Sequence, residues 1–417
     1  MPTVIEALRR FIPAYLSTSP VLSGVQHRAL WALQNCRTAV MGGHVHGCRE
    51  CAGERHYAFH SCHHKCCPQC GRAATAEWVR REQSKLIPAP YFMVTFTLPA
   101  ELRDLFFGKD AKAAYDAFFH ACAAALSRNL ADRKWLGAVS SGFTMVLHTW
   151  NQKMLFHPHL HCIVPAAGLD AEGRYVSVRS ADDLMPPDPL KKALRHHFGA
   201  QMKALGLTCH PSVWRKKWGI NVQAFGSGAN AVKYLGRYIH RSVIGDSRVL
   251  SVTESHVTFR YLDRTDRARP VDRILTLDGV EFVRRYLRHV QPAKLRAVRY
   301  YGYHHPAAKK TRLRVQQWSD RSPANPAPSE PAPATNDGPG TVKREHLCPC
   351  CQQPMVIIGR IQPGWKRRAL CQSMSGRAPP SQPTRAAPEA ARQAAERRPH
   401  RSERGDSGNR IKGASLS

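Results

Sequence analysis

His159 and His161, with one residue between them, and Tyr234 and Tyr238, with three, are the side chains in this sequence best placed to do chemistry together. The run HPHLHCIVP, from His157 to Pro165, reads as a strand. Alternate strand residues share a face, so His159 and His161 project together while Leu160 and Cys162 point into a core. Two imidazoles at that spacing can grip one metal ion. A third ligand has to come from elsewhere, and His148, in the neighbouring strand-like run Phe143–Thr149, is the first candidate, with His157 and Gln152 as competitors. No cysteine lies on that face, so the set suits an open catalytic site rather than a closed structural one. Taken alone, the motif is also compatible with a histidine-rich loop that makes ordinary hydrogen bonds.

The segment NAVKYLGRYIHR carries the tyrosines. Four residues apart, Tyr234 and Tyr238 share one face of a helix, and Arg241 falls three further along the same side. Val232, Leu235 and Ile239 form a separate apolar stripe, and Lys233 and Arg237 flank the tyrosines. Asn230 can cap the helix, and Gly226 and Gly228 keep the preceding loop free to approach other backbone. A phenol titrates near ~10 and is a poor nucleophile at neutral pH. A divalent ion on a phosphate, with guanidinium groups nearby, makes its attack feasible. Without the histidines, the same tyrosines would fit a helix–sheet boundary with wet hydroxyls.

Cysteine is the third reactive type. Cys48 and Cys51 are separated by two residues, as are Cys67 and Cys70, with fifteen between the pairs. That spacing predicts one structural zinc site, in which four thiolates close a tetrahedron. Cys62, Cys66, His56 and His60 are additional candidate ligands, which leaves open a second metal or another choice of four. Cys348 and Cys351 repeat the spacing, with Cys350 and Cys371 as their only neighbours of that type.

These residues need elements to position them. Residues 1–35 read as helical, with Ile5, Leu8 and Phe11 on one face and a second apolar stretch at Leu30–Leu33. The Cys-, His- and Gly-rich stretch 36–71 suits a metal-nucleated module, and Arg72–Leu86 returns to helix. YFMVTFTLP, from Tyr91, is a strand ended by proline. A helix over Ala111–Leu130, strands over Phe143–Thr149 and His159–Val164, a helix over Pro189–Leu205, a strand over Ile220–Phe225 and a helix over Asn230–Val243 follow. The order β-α-β-β-α-β-α predicts an α+β domain, a ferredoxin-like antiparallel sheet with helices on one face. A strand at His256–Leu262 and a helix at Gly279–His289 come after it. Ser322–Gly340 carries six prolines and reads as a linker, and the Arg-, Ala-, Pro- and Ser-rich chain beyond Cys371 is expected to be disordered. The expected division is a helical region (1–35), a zinc module with its following helix (36–86), a catalytic domain (90–310), a Pro-rich linker (311–346), a second Cys-containing element (347–372) and a disordered basic tail (373–417).

Composition narrows the partner. Lys and Arg total 62 against 30 Asp and Glu in 417 residues, a formal charge of +32. Neutralised phosphates release condensed counterions, so nucleic acid is the first candidate and an anionic membrane surface the second. No apolar run approaches the ~18 residues of a membrane span, and the N-terminus lacks the plan of a signal peptide. A cytoplasmic, nucleoid-associated location follows as the expectation, where fourteen cysteines read better as metal ligands than as disulfides.

In combination and order, the motifs resemble the rolling-circle transposases of the HUH class, specifically the two-tyrosine family whose type member is insertion sequence ninety-one. The resemblance runs from about residue 20 to about 310 and rests on SCHHKCCPQCG (Ser61–Gly71), FTLP (Phe96–Pro99), HTWNQKMLFHPHLHCIVP (His148–Pro165), KYLGRYIHR (Lys233–Arg241) and the closing RYYGYHH (Arg299–His305). It implies an HUH-endonuclease fold in which His159 and His161 bind catalytic Mg²⁺ or Mn²⁺, and in which Tyr234 and Tyr238 are nucleophiles. Cys48, Cys51, Cys62, Cys67 and Cys70 match the family's zinc-module cysteines, whereas Cys66 stands where a histidine or small polar residue is expected. The implied enzyme is a single-strand DNA endonuclease and strand transferase acting at element ends and target through a 5′-phosphotyrosine. Lys233, Arg237 and Arg241 then serve as phosphate clamps. With no P-loop in the sequence, a host helicase or the replication machinery separates the strands. A plasmid replication initiator or relaxase shares this chemistry, and a non-catalytic zinc-finger DNA-binding protein is the alternative of a different class. A zinc hydrolase is disfavoured because HPHLH lacks a carboxylate base.

Overall fold

The computed structural model describes residues 1–51, 55–178, 180–239, 243–266, 269–320 and 346–364, and within these not the side chains of 72–74 and 237–239. Helices α1 (Val4–Ser17) and α2 (Gly24–Asn35) each begin with a capping box, Thr3 with Glu6 and Ser23 with Gln26, which satisfies orphan amides at both starts. A short hairpin follows, β1 (Gly43–Gly47) and β2 (His56–Phe59), then α3 (Gly71–Gln83).

The central layer is built from β3 (Tyr91–Thr97), α4 (Ala111–Ala131), β4 (Gly142–Trp150), β5 (Phe156–Pro165), the small hairpin β6 (Ala167–Leu169) and β7 (Tyr175–Ser177), α5 (Pro187–Ala204), β8 (Gly219–Gly226) and α6 (Gly228–Ile239). Then come β9 (Val249–Val252), β10 (His256–Asp263), β11 (Val271–Asp278), α7 (Gly279–Leu287), β12 (Val298–Gly302), α8 (Lys309–Asp320) and β13 (Val356–Ile361). Five strands form one antiparallel sheet in the order β12-β4-β5-β3-β8.

Both faces of that sheet are covered. Phe92, Val94 and Phe96 of β3, Met145 and Leu147 of β4, and Leu160 and Cys162 of β5 pack against Phe118 and Leu126 of α4 and Leu194 and Phe198 of α5. On the opposite face Tyr91, Met93, Val146 and Ile163 meet Val232 and Leu235 of α6, Trp78 of α3 and Val315 of α8. Helices on one face only were expected, and the structure corrects this. A strand such as β4, buried almost throughout its length, has to be covered on both sides.

A second core joins α1 and α2 to α7 and to the sheet β11-β10-β9, with Leu8, Phe11, Leu33, Phe259, Phe282 and Tyr286 at its centre. Gly279 lets α7 start directly against the Phe11 ring, which leaves no room for a Cβ. Two other expectations change. The chain is helical through Asp320, so the linker does not begin at residue 311. The second Cys-containing element does not stand apart, because β13 pairs with β1 to make the sheet β13-β1-β2. The Pro-rich stretch 321–345 and the tail from 365 lie outside the described residues. Among the described residues no helix is long and apolar enough to cross a membrane.

Candidate active site

The β4–β5 hairpin sets His148 opposite His159, and His161 is two positions along on the same face. The turn between the strands is held open by Asn151, whose side-chain oxygen accepts the Lys153 and Leu155 amides at 3.0 and 2.9 Å. His289 and Arg285, at the end of α7, bind the carbonyls of Met154 and Lys153, both at 3.0 Å. The hairpin tip is thus fixed to the second core.

The three imidazoles converge. Their candidate ligand nitrogens all lie within 4.8 Å of one another, and ring centroids are 4.5 Å (His148–His161), 4.8 Å (His159–His161) and 5.2 Å (His148–His159) apart. His159 Nδ1 sits 2.7 Å from the His157 carbonyl, which can only accept, so that nitrogen holds the proton and Nε2 keeps the lone pair. His161 Nδ1 lies 3.0 Å from the Thr95 hydroxyl on β3, directly opposite in register. Metal-binding histidines are oriented by such partners on the far nitrogen. Burial holds His148 well below its ordinary range and brings His159 down to about 4 and His161 to about 3, the neighbouring imidazoles adding to the shift at His148 and His161. All three are therefore neutral at physiological pH, as a ligand must be. This donor set fits a divalent ion and leaves coordination positions open. His157 stands outside it, its Nδ1 taken by Arg103 at 3.1 Å. The indole of Trp150 stacks on His148, with centroids 5.4 Å apart.

Helix α6 lies on this same face. The Tyr234 ring is 6.4 Å from the His161 ring and 5.3 Å from Phe225 of β8. Ala231, Val232 and Leu235 are buried toward the sheet, while Tyr234 is half-buried and Lys233 exposed. Tyr238 and Arg237 belong to α6, but their side chains lie outside the described residues, and so does Arg241. The structure therefore brings together His148, His159, His161 and Tyr234. Thr95, beneath His161, was missed in the sequence, where its only signal is its place just before FTLP.

The cysteines separate into two groups. Cys36, Cys62, Cys67 and Cys70 gather at the base of the β1–β2 hairpin, with sulfur separations of 3.5 Å (Cys36–Cys70) and 3.7 Å (Cys62–Cys70). Cys48 and Cys51, at the hairpin tip, meet Cys348 and Cys351 instead. One tetrahedron from both N-terminal pairs was expected, and the hairpin prevents it. Strands of four or five residues, rising about 3.4 Å each, keep tip and base roughly 15 Å apart. Cys36 was not foreseen as a ligand, because it stands alone after α2. The Arg37 amide bonds the His60 carbonyl at 3.1 Å and draws it to the base. Cys66 is not in the group, and burial pushes its thiol up to about 12. Burial also raises Cys36 to about 11, so this thiol cluster favours a bound cation that would compensate its thiolates.

Comparison with known proteins places the chain in a family. Residues 142–312 match a family described as "Putative transposase", and residues 7–98 match a "Transposase zinc-binding domain". The chain is 32% identical over 393 residues to "Putative transposase y4qJ" of Sinorhizobium fredii, covering 87% of this chain and 96% of that protein. It is 26% identical over 309 residues to "Transposase for insertion sequence element IS801" of Pseudomonas savastanoi pv. phaseolicola, covering 70% and 73%. No solved structure matches the chain.

Proposed function

The chain belongs to the transposase family of the insertion-sequence-ninety-one type, and from that premise we propose that it cuts and rejoins single-stranded DNA through a tyrosine ester. The observation that carries this reading is the Tyr234 ring, 6.4 Å from His161 on the histidine face of the sheet. The topology supports it as well. In chain order β3, β4, β5 and β8 occupy the spatial order second-third-first-fourth, with α4 and α5 as crossovers, an order that supports a ferredoxin-like reading of the sheet.

His148, His159 and His161 would hold the catalytic ion. A bound Mg²⁺ or Mn²⁺ supplies Lewis-acid polarisation of the scissile phosphate. The Tyr234 oxygen attacks phosphorus, the bond to the preceding nucleotide's 3′ oxygen breaks, and that oxygen takes up a proton. The products are a 5′-phosphotyrosine and a free 3′ hydroxyl, with the energy of the broken linkage kept for rejoining. Tyr238, one turn along α6, makes the second cut at the target or other end. Lys233, Arg237 and Arg241 neutralise phosphates along the strand, and Cys36, Cys62, Cys67 and Cys70 hold a structural zinc. The partners are single-stranded DNA at element ends and target, opened by a host helicase or by replication. A plasmid initiator or relaxase would share the chemistry, but the zinc-binding domain of residues 7–98 favours the transposase. The test is to incubate the protein with labelled single-stranded element ends and Mn²⁺, then look for a covalent adduct under denaturing conditions. Absence of any adduct, with DNA still bound, would leave the non-catalytic zinc-finger reading in its place.

A further inference from the structure

We infer that Cys48, Cys51, Cys348 and Cys351 form a second tetrathiolate zinc site, which clasps the C-terminal strand to the N-terminal module. The sulfur of Cys48 is 3.4 Å from that of Cys351, and the sulfur of Cys51 is 3.6 Å from those of both Cys348 and Cys351. A tetrahedron with zinc–sulfur bonds of ~2.3 Å has edges of about 3.8 Å, close to these separations. A disulfide needs about 2.05 Å, so the sulfurs are spaced for a shared ion and not for a covalent bond.

The backbone explains how residues this far apart in the chain meet. β13 runs antiparallel to β1 with Gly47 opposite Val356 and Gly43 opposite Ile361. That register sets the residues leading into β13 beside those leaving β1, where the two Cys-x-x-Cys loops lie. Each loop is preformed. The Glu50 amide donates to the Cys48 sulfur at 3.4 Å, and the second loop is closed by Cys348 N–H to Gln353 O at 2.8 Å and Gln352 N–H to Cys348 O at 2.9 Å. Gly42, at φ +72°, admits the far end of β13, since an added Cβ would lie 2.6 Å from the Ile361 carbonyl oxygen. β13 exposes Ile357 and Ile358 and adds little to a core, so a shared ion would reinforce the backbone ladder that joins it to β1. The match to the transposase zinc-binding domain ends at residue 98, so the second half of this site lies outside it.

Cobalt substitution of the full-length protein tests this, because thiolate-to-cobalt charge-transfer absorbance detects sulfur sites and ignores the histidine centre. Wild-type absorbance should saturate at two equivalents per chain. The Cys348→Ser/Cys351→Ser and Cys48→Ser/Cys51→Ser variants should each saturate at one, with helical circular dichroism retained and new protease cleavage within 346–364. Saturation of the wild type at one equivalent overturns the proposal even if the variants fail to fold. So does retention of two equivalents in the Cys348→Ser/Cys351→Ser variant, or a Cys51–Cys348 disulfide that persists in protein purified with a thiol reductant.

Discussion

The histidine centre and the cysteine groups are candidate metal-binding sets built on opposite plans. His148, His159 and His161 stand on two paired strands whose register and far-side hydrogen bonds orient the rings before any ion arrives. The cysteines come from loops and strand ends, and Cys36 and Cys67 are buried where thiolates are unfavourable without a cation. A set placed by the fold can lose its ion and keep its shape, whereas a set that replaces a core cannot. The first plan suits catalysis and the second suits architecture.

The sharpest way to break the comparison is at the nucleophiles. Tyr234→Phe combined with Tyr238→Phe should abolish the covalent adduct, a loss of at least about 10³-fold, while melting temperature and DNA affinity stay near wild type. Adduct formation by the double variant would remove Tyr234 and Tyr238 from the chemistry. Metal loss comes next. Cys67→Ser or strong chelation should unfold the hairpin module, since structural zinc contributes on the order of 10 kcal/mol. His161→Ala should end cleavage yet leave the cysteine-bound zinc and the helical signal unchanged. Equal unfolding in both variants would mean that the two plans are one.

The same contrast governs what could be read in the sequence. The histidine strand, the tyrosine helix and the βαββαβ order were legible because strand alternation and helical spacing fix side-chain direction locally. His148 needed only a hairpin, the shortest of tertiary contacts. The cysteine partners were not legible, because identical Cys-x-x-Cys spacing recurs three times and only the β13–β1 register decides which loops meet. Strand β12 was missed for a related reason. RYYGYHH reads as a conspicuous motif, but nothing local says that Tyr300 and Tyr301 belong at the edge of the sheet beside β4.

Two changes of condition should produce intermediate effects. With an excess of cations, DNA affinity should fall at least about 300-fold between ~50 and ~200 mM salt if six or more phosphates of a single strand are contacted. A flat titration would mean that base stacking and not charge holds the strand. Acid acts on buried imidazoles. Burial lowers His289 to about 4 and His304 to about 3, from an unfolded value near 6.5. The unfolded chain therefore binds protons first, so the stability these groups contribute is complete above pH ~6.5 and is lost as pH falls toward ~4. Melting temperature should drop by on the order of 5 °C or more between pH 7.5 and 5. His304→Asn, which removes one of these groups, should flatten that slope.

The smallest expected effect tests the plan of the histidine centre itself. Thr95→Val keeps the strand shape of β3 and removes only the hydroxyl 3.0 Å from His161 Nδ1. If ring orientation depends on that bond, Mn²⁺ should be needed at about ten-fold higher concentration for half-maximal adduct formation. The rate at saturating Mn²⁺ should change little, and Thr95→Ser should restore the wild-type requirement. Damage to packing alone would lower the rate at every ion concentration and would not be rescued by serine. An unchanged Mn²⁺ requirement in Thr95→Val would show that strand register alone orients His161. The β4–β5 pairing, with the His157 carbonyl on His159, would then account for the centre's preorganisation, with β3 serving only as its floor.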